Sequence, residues 1–219
     1  MEPKDKQPLN HEIKDIPVLL LTGYLGSGKT TLLNRILKNE QGIKFAVIVN
    51  DIGEVNIDAE LIQHGGIVGQ DEKSLVALQN GCICCTLRMD LIQQLCDIAN
   101  TGQFDYIVIE ASGICEPAPI AQTICSIPDF APDLIKKGKP VLDCIVSVVD
   151  AVRLKKEFDN GHVLENSHIA EDDLENLVIQ QIEFCNLILL NKASEISTED
   201  QNLIKAVIHS IQPEAENIP

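Results

Sequence analysis

Five short apolar runs, "PVLLLT" (17–22), "KFAVIVN" (44–50), "FDYIVIE" (104–110), "VLDCIVSVVD" (141–150) and "CNLILLN" (185–191), recur with helix-patterned stretches between them. Each is rich in Val, Ile or Leu and continuous rather than alternating, which is how a strand reads when both its faces are buried. In "TTLLNRILK", Leu33, Ile36 and Leu37 share a helical face; in "LENLVIQQIEFC", Leu174, Leu177, Val178 and Ile182 do the same. This alternation predicts an α/β domain with a doubly wound, mostly parallel sheet. Ligands of such folds sit at the carboxyl ends of the strands. With 219 residues, 45% of them hydrophobic, the chain can bury one substantial core.

The first run ends at Thr22 and leads directly into "GYLGSGKTT", Gly23 to Thr31. Gly23, Gly28, Lys29 and Thr30 stand at the fixed positions of GxxxxGK[ST], between a buried strand and an amphipathic helix. Glycines let successive backbone N–H groups curl around a phosphate, and Lys29 reaches the β and γ oxygens. The Thr30 hydroxyl ligates Mg²⁺, and the following helix directs its positive end at the anion. The spacing therefore predicts a P-loop, with Gly26, Ser27, Gly28, Lys29, Thr30 and Thr31 as nucleotide-binding residues. Mg²⁺ is the expected companion of the phosphates.

Acidic residues close two further strands: Asp51, with Glu54 and Asp58 soon after, and Glu110, followed by "ASG". A carboxylate at such a tip can hold Mg²⁺, directly or through water, or orient an attacking water. Glu110 is accordingly a candidate for catalysis beside Lys29, and Asp51 and Glu110 join Thr30 as candidate Mg²⁺ ligands. No arginine is positioned by motif to stabilise charge on the γ-phosphoryl group, so slow intrinsic hydrolysis is expected. The last run ends in "NKAS", whose Asn191 and Lys192 match the start of the guanine-reading NKxD element. Ser194 stands where the aspartate would be, with Glu195 next; a serine accepts only a neutral hydrogen bond. GTP is the expected nucleotide, and ATP stays open as the alternative.

In "NGCICCTL" (80–87), Cys82, Cys84 and Cys85 place three thiols within four positions. A structural zinc site takes four protein ligands, usually as two separated pairs, and no second pair stands at ligand spacing. Asn80-Gly81 is a turn, and Leu87, Leu91 and Leu95 in "TLRMDLIQQL" have helical spacing. Cys85 then falls at or just before a helix N-terminus, where the dipole favours thiolate. Soft thiolates suit Zn²⁺, Co²⁺ or Cu⁺. Adjacent Cys84 and Cys85 reach one ion together only with strain, and an incomplete shell suits release better than permanent structure. Vicinal thiols also form switchable disulfides, so a redox role is the competing reading. His162 and His168, in the segment 159–173 that reads as a long loop, are candidates for a transient ligand or plain solvated positions.

The remaining cysteines (Cys96, Cys115, Cys125, Cys144, Cys185) are scattered singly and read as buried reduced thiols. With no basic segment preceding an apolar one at the start of the sequence, they favour a cytoplasmic protein. A formal charge of −16 and 3% aromatic residues argue against nucleic acid and anionic membranes as partners. No apolar run is long enough to span a bilayer.

The motif order "GYLGSGKTT", "VNDIGEVNIDAELI", "NGCICCTL", "IVIEASGICEP", "SVVDA", "ILLNKAS" resembles the CobW family of P-loop GTPases, over residues 17–192. That family is related to the HypB and UreG nickel-delivery GTPases. The resemblance implies a SIMIBI-type P-loop NTPase domain that binds and hydrolyses GTP. It also implies a transition metal, Zn²⁺ or Co²⁺, on Cys82, Cys84 and Cys85, and a switch-like segment containing Glu54 near the nucleotide. The implied function is a metallochaperone or metal insertase that serves a client metalloprotein or cofactor-biosynthesis enzyme. Homodimerisation is expected by analogy with the nickel-delivery cousins. The expected organisation is a loose tail over 1–15 and one GTPase domain over 16–219, without the C-terminal domain that such proteins carry. From another chemical class, an ATP-dependent small-molecule kinase with a structural thiol cluster also fits the P-loop.

Overall fold

The computed structural model describes residues 13–49, 75–77, 88–159 and 177–218. The predicted strands form as β1 (Lys14–Thr22), β2 (Phe45–Val49), β4 (Tyr106–Glu110), β5 (Gly138–Asp150) and β6 (Leu187–Asn191). Two further strands, β3 (Leu75–Ala77) and β7 (Glu216–Ile218), complete a seven-stranded sheet of order β3-β2-β4-β1-β5-β6-β7. Every pairing is parallel. The helices are α1 (Lys29–Leu37), α2 (Arg88–Thr101), α3 (Pro117–Cys125), the single turn α4 (Ile127–Phe130), α5 (Ala151–Asp159), α6 over 177–183 and α7 (Thr198–Ile211). β1 starts at Lys14, so the first two residues of that strand lie within the stretch read as a tail.

The continuous apolar runs split cleanly between two faces because strand side chains alternate. Ile16, Val18 and Leu20 of β1, Ala46 and Ile48 of β2, and Ile107 and Ile109 of β4 enter one core layer. There they meet Leu91 and Leu95 of α2 and Ile120 and Ile124 of α3. The opposite phase, Leu21, Val47, Val49 and Val108, packs with Leu33 and Leu37 of α1. A third cluster closes the β6 end, where Ile188 and Leu190 meet Ile182 of α6 and Ile204 and Ile208 of α7. Each central strand is thus buried on both sides.

β1 lies between β4 and β5, and the chain leaves it for β2 on one side and later returns to β5 on the other. The crevice at the carboxyl end of β1 is therefore a switch point of the sheet, where doubly wound folds bind ligands. The ends of β4, β5 and β6 open beside it. The scattered cysteines are less uniform than their apolar neighbours suggest: Cys96, Cys115 and Cys185 are buried, but Cys144 is half-buried and Cys125 exposed. Cys125 ends α3, where its helical phase turns it away from the core-facing Ile120 and Ile124. No helix among the described residues is long and apolar enough to cross a membrane.

Candidate nucleotide site

The loop Gly23–Gly28 links β1 to α1 in a backbone path that only glycine follows at its ends. Gly23 has φ +137°, and a Cβ there would stand 2.3 Å from the Val148 carbonyl oxygen of β5. Gly28 has φ +109°, and a Cβ would stand 2.3 Å from the Asn191 amide nitrogen. No side chain caps α1, whose N-cap is Gly28, so its first N–H groups keep no side-chain acceptor. An uncapped helix start with a glycine entry is what an anionic ligand requires.

Three strand ends fix this loop. From β6, Asn191 Nδ2 donates to the Ser27 carbonyl at 2.7 Å, and Lys192 Nζ to the Gly26 carbonyl at 3.3 Å. Lys192 has φ +58°, and its backbone N–H donates to Asn191 Oδ1 at 3.0 Å, holding that amide in place. From β5, Asp150 accepts Lys192 Nζ with one carboxylate oxygen and the Arg153 N–H with the other at 3.1 Å. Asp150 thereby caps α5 and pairs with the lysine that touches the loop. The Arg153 guanidinium lies over the Tyr24 ring, 3.8 Å from its centroid, and reaches Glu157 at 3.4 Å. From β4, Thr30 Oγ1 donates to Glu110 Oε1 at 3.0 Å.

Lys29 is 8% exposed, and its ammonium donates to the Gly23 carbonyl at 2.7 Å and the Tyr24 carbonyl at 3.2 Å. It folds back over the loop it belongs to, which holds its charge against two of that loop's carbonyls. Glu110 is 3% exposed, and a buried carboxylate beside a threonine hydroxyl is a donor set suited to a hard divalent cation. Beyond Glu110, Gly113 abuts the loop: a Cβ on it would come within 2.6 Å of the Leu25 nitrogen. Gln181 of α6, 2% exposed, donates to the carbonyls of Gly113 and Cys115, both at 3.3 Å.

The predicted nucleotide residues Gly26, Ser27, Gly28, Lys29, Thr30, Asn191 and Lys192 therefore converge, and Glu110 joins them. Thr31 is exposed on α1. Asp51, Glu54, Cys82, Cys84, Cys85, His162 and His168 lie outside the described residues. Among the described residues, no three His, Cys, Asp or Glu side chains gather as a metal site. Sequence reasoning gave no role to Asp150, Arg153 or Gln181. Asp150 ends an apolar run and carried the same signal as Glu110, but Arg153 reaches Tyr24 of the loop, and Gln181 the chain after β4, only through the packing of α5 and α6.

Residues 17–219 match the family model described as "CobW/HypB/UreG, nucleotide-binding domain". This chain belongs to the CobW/HypB/UreG family. It is 40% identical to "Zinc-regulated GTPase metalloprotein activator 1" of Dictyostelium discoideum, over 94% of this chain and 46% of the relative. It is 31% identical to "Zinc chaperone CobW" of Pseudomonas aeruginosa, over 93% of this chain and 56% of the relative. A crystal structure of a Zn(II)-bound triple mutant of the YjiA GTPase superposes with a TM-score of 0.60 at 28% identity, covering 94% of this chain and 57% of that one. The chain thus spans about half the length of the curated relatives it matches. The parallel sheet, the glycine loop and the Asn-Lys pair at the end of β6 are where this CobW-family chain carries its family's nucleotide-binding domain.

Proposed function

We propose that this chain binds and hydrolyses GTP and couples its nucleotide state to a transition metal held at Cys82, Cys84 and Cys85, for delivery to a client metalloprotein or cofactor-biosynthesis enzyme. The observation that carries the reading is the locked phosphate loop: Asn191 on Ser27, Lys192 on Gly26, and Thr30 on Glu110. Family membership and relatives named as zinc chaperones and a zinc-regulated GTPase activator support GTP as nucleotide and zinc as cargo. Cobalt remains the chemically closest substitute.

On this reading the N–H groups of residues 26–31 and the Lys29 ammonium take the charge that develops on the transferring γ-phosphoryl group. Lys29 exchanges two carbonyl oxygens for phosphate oxygens, a short movement for a side chain already turned over the loop. Thr30 and Glu110 would hold Mg²⁺, with Asp51 as a further ligand; the ion would supply positive charge to offset that of the phosphates. Glu110 orients the attacking water from the end of β4. The segment with Glu54 responds to the γ-phosphate and alters the geometry at the thiols. The protein works in the cytoplasm, and two copies pair in its working state. Residues 16–219 make up one GTPase domain.

The test is a Co²⁺ titration of fully reduced protein, with and without Mg²⁺ and a non-hydrolysable GTP analogue. Tighter, tetrahedral thiolate-to-cobalt absorption in the GTP-loaded protein is the expected result. Absence of a thiolate band in either state, together with ATP preference, would overturn the reading in favour of a small-molecule kinase.

A further inference from the structure

Residue 194 carries no carboxylate, so a GTP-binding form of this chain has to read guanine by other means. Asn191 does not replace the carboxylate: its amide donates to the Ser27 carbonyl and accepts the Lys192 N–H, and it carries no negative charge for the N1–H and 2-amino edge of guanine. The segment Ala193–Glu195 is a 3₁₀ turn, with the Glu195 N–H on the Lys192 carbonyl at 3.0 Å. Lys192 caps this turn with φ +58°, and Lys192 and Glu195 border the same side of it, whereas Ser194 does not.

The shared side faces a cavity of about 340 Å³ at the carboxyl ends of β5 and β6, bordered by Asp150, Arg153, Lys156, Glu157, Lys192 and Glu195. That volume is at the lower end of small-molecule pockets, about 300–1,000 Å³. Ser194 is exposed and does not border it. The cavity adjoins the phosphate loop, since Lys192 on its wall also donates to Gly26. Of the carboxylates around it, Asp150 is taken by Lys192 and the α5 backbone, and Glu157 by Arg153. Glu195 makes no side-chain hydrogen bond or ion pair among the described residues, so its two oxygens are available to a ligand.

We infer that Glu195 reads the base: its carboxylate accepts the ring N1–H and the exocyclic 2-amino group of guanine in a two-point, charge-assisted contact. Adenine offers a ring acceptor and no amino group at that edge, so the same carboxylate disfavours it through unpaired, like-sign contacts. The inference rests on the GTP reading above.

The experiment is displacement of a fluorescent guanine nucleotide by GDP, ADP and XDP from the wild type and from the Glu195→Gln and Ser194→Ala variants. Xanthine carries a carbonyl in place of the 2-amino group, so a carboxamide at 195 can donate to it. Wild type should prefer GDP, Glu195→Gln should lose at least tenfold in GDP affinity and gain affinity for XDP, and Ser194→Ala should match wild type. A Glu195→Gln variant that keeps its GDP preference, or a Ser194→Ala variant that loses it, overturns the inference and leaves the GTP reading standing. A wild type that binds ADP in preference to GDP overturns the GTP reading itself. Thermal melts of both variants, unchanged from wild type, exclude misfolding as the cause.

Discussion

Gly28→Ala tests whether the phosphate loop is held in shape by Asn191. Two costs arise in the variant. An alanine at φ +109° adopts a backbone region that L-residues avoid, at about 1–2 kcal/mol. Its Cβ would also stand 2.3 Å from Asn191 Nδ2, so the amide must leave the Ser27 carbonyl. Losing that hydrogen bond adds about 1 kcal/mol. The total, about 2–3 kcal/mol, is a large fraction of a typical domain stability of about 5–15 kcal/mol. The two costs separate in a double-mutant cycle. With Asn191→Ala already in place the clash has no partner, so Gly28→Ala should then cost only the backbone term. A coupling of about 1 kcal/mol between the two sites is expected from urea unfolding followed by circular dichroism. Strict additivity would show that the loop keeps its shape without Asn191, and the account of how β6 fixes the phosphate site would be wrong.

Glu110→Gln keeps an acceptor for the Thr30 hydroxyl but removes the charge. Mg²⁺-dependent GTP hydrolysis should fall by roughly 100-fold while nucleotide binding without Mg²⁺ holds, and unchanged turnover would remove Glu110 from the catalytic set. Burial pushes the Cys185 thiol up to about 12, with the neighbouring Cys144 adding to it, whereas Cys125 is exposed. Iodoacetamide at pH 8, followed by peptide mapping, should therefore modify Cys125 first and Cys185 only on unfolding. Equal rates at the two positions would refute the burial pattern.

The central strands were legible because burial on both faces leaves an unbroken apolar run, and the glycine loop because its spacing follows from the size of a phosphate. β3 and β7 were not: each has three residues at a sheet edge, too short for a pattern to rise above its surroundings. The convergence of Asn191, Lys192 and Glu110 on one loop followed from their places at strand ends, which parallel topology brings to one rim. Arg153 and Gln181 were invisible for the opposite reason. Their roles depend on where α5 and α6 come to rest, and no local pattern distinguishes Arg153 from any other solvated arginine of an amphipathic helix. Cys125 was misjudged because an apolar neighbourhood in sequence says little about which side of a helix one residue occupies.

The same contacts bear on how a nucleotide could act at a distance. The phosphate loop touches the chain after β4, where Gly113 packs on Leu25, and Cys115 follows in the core layer that holds Leu91 and Leu95 of α2. The start of α2 is tied in turn to α3 and α4, with Arg88 donating to Ser126 Oγ at 2.8 Å and lying over the Phe130 ring at 5.2 Å. The thiol triplet shortly precedes α2 in sequence, so a packed route joins the phosphate loop to the residue from which the segment proposed to bind metal departs. Adjacency alone is not coupling, since both ligands must favour the same one of two arrangements. Linkage supplies the criterion. If GTP tightens metal binding tenfold, metal must tighten GTP binding tenfold, about 1.4 kcal/mol in either direction. Measured in both directions on one preparation, equal factors well above one would make this route a candidate carrier of the coupling. A factor of one in each would reduce it to ordinary core packing, whatever the two sites do separately.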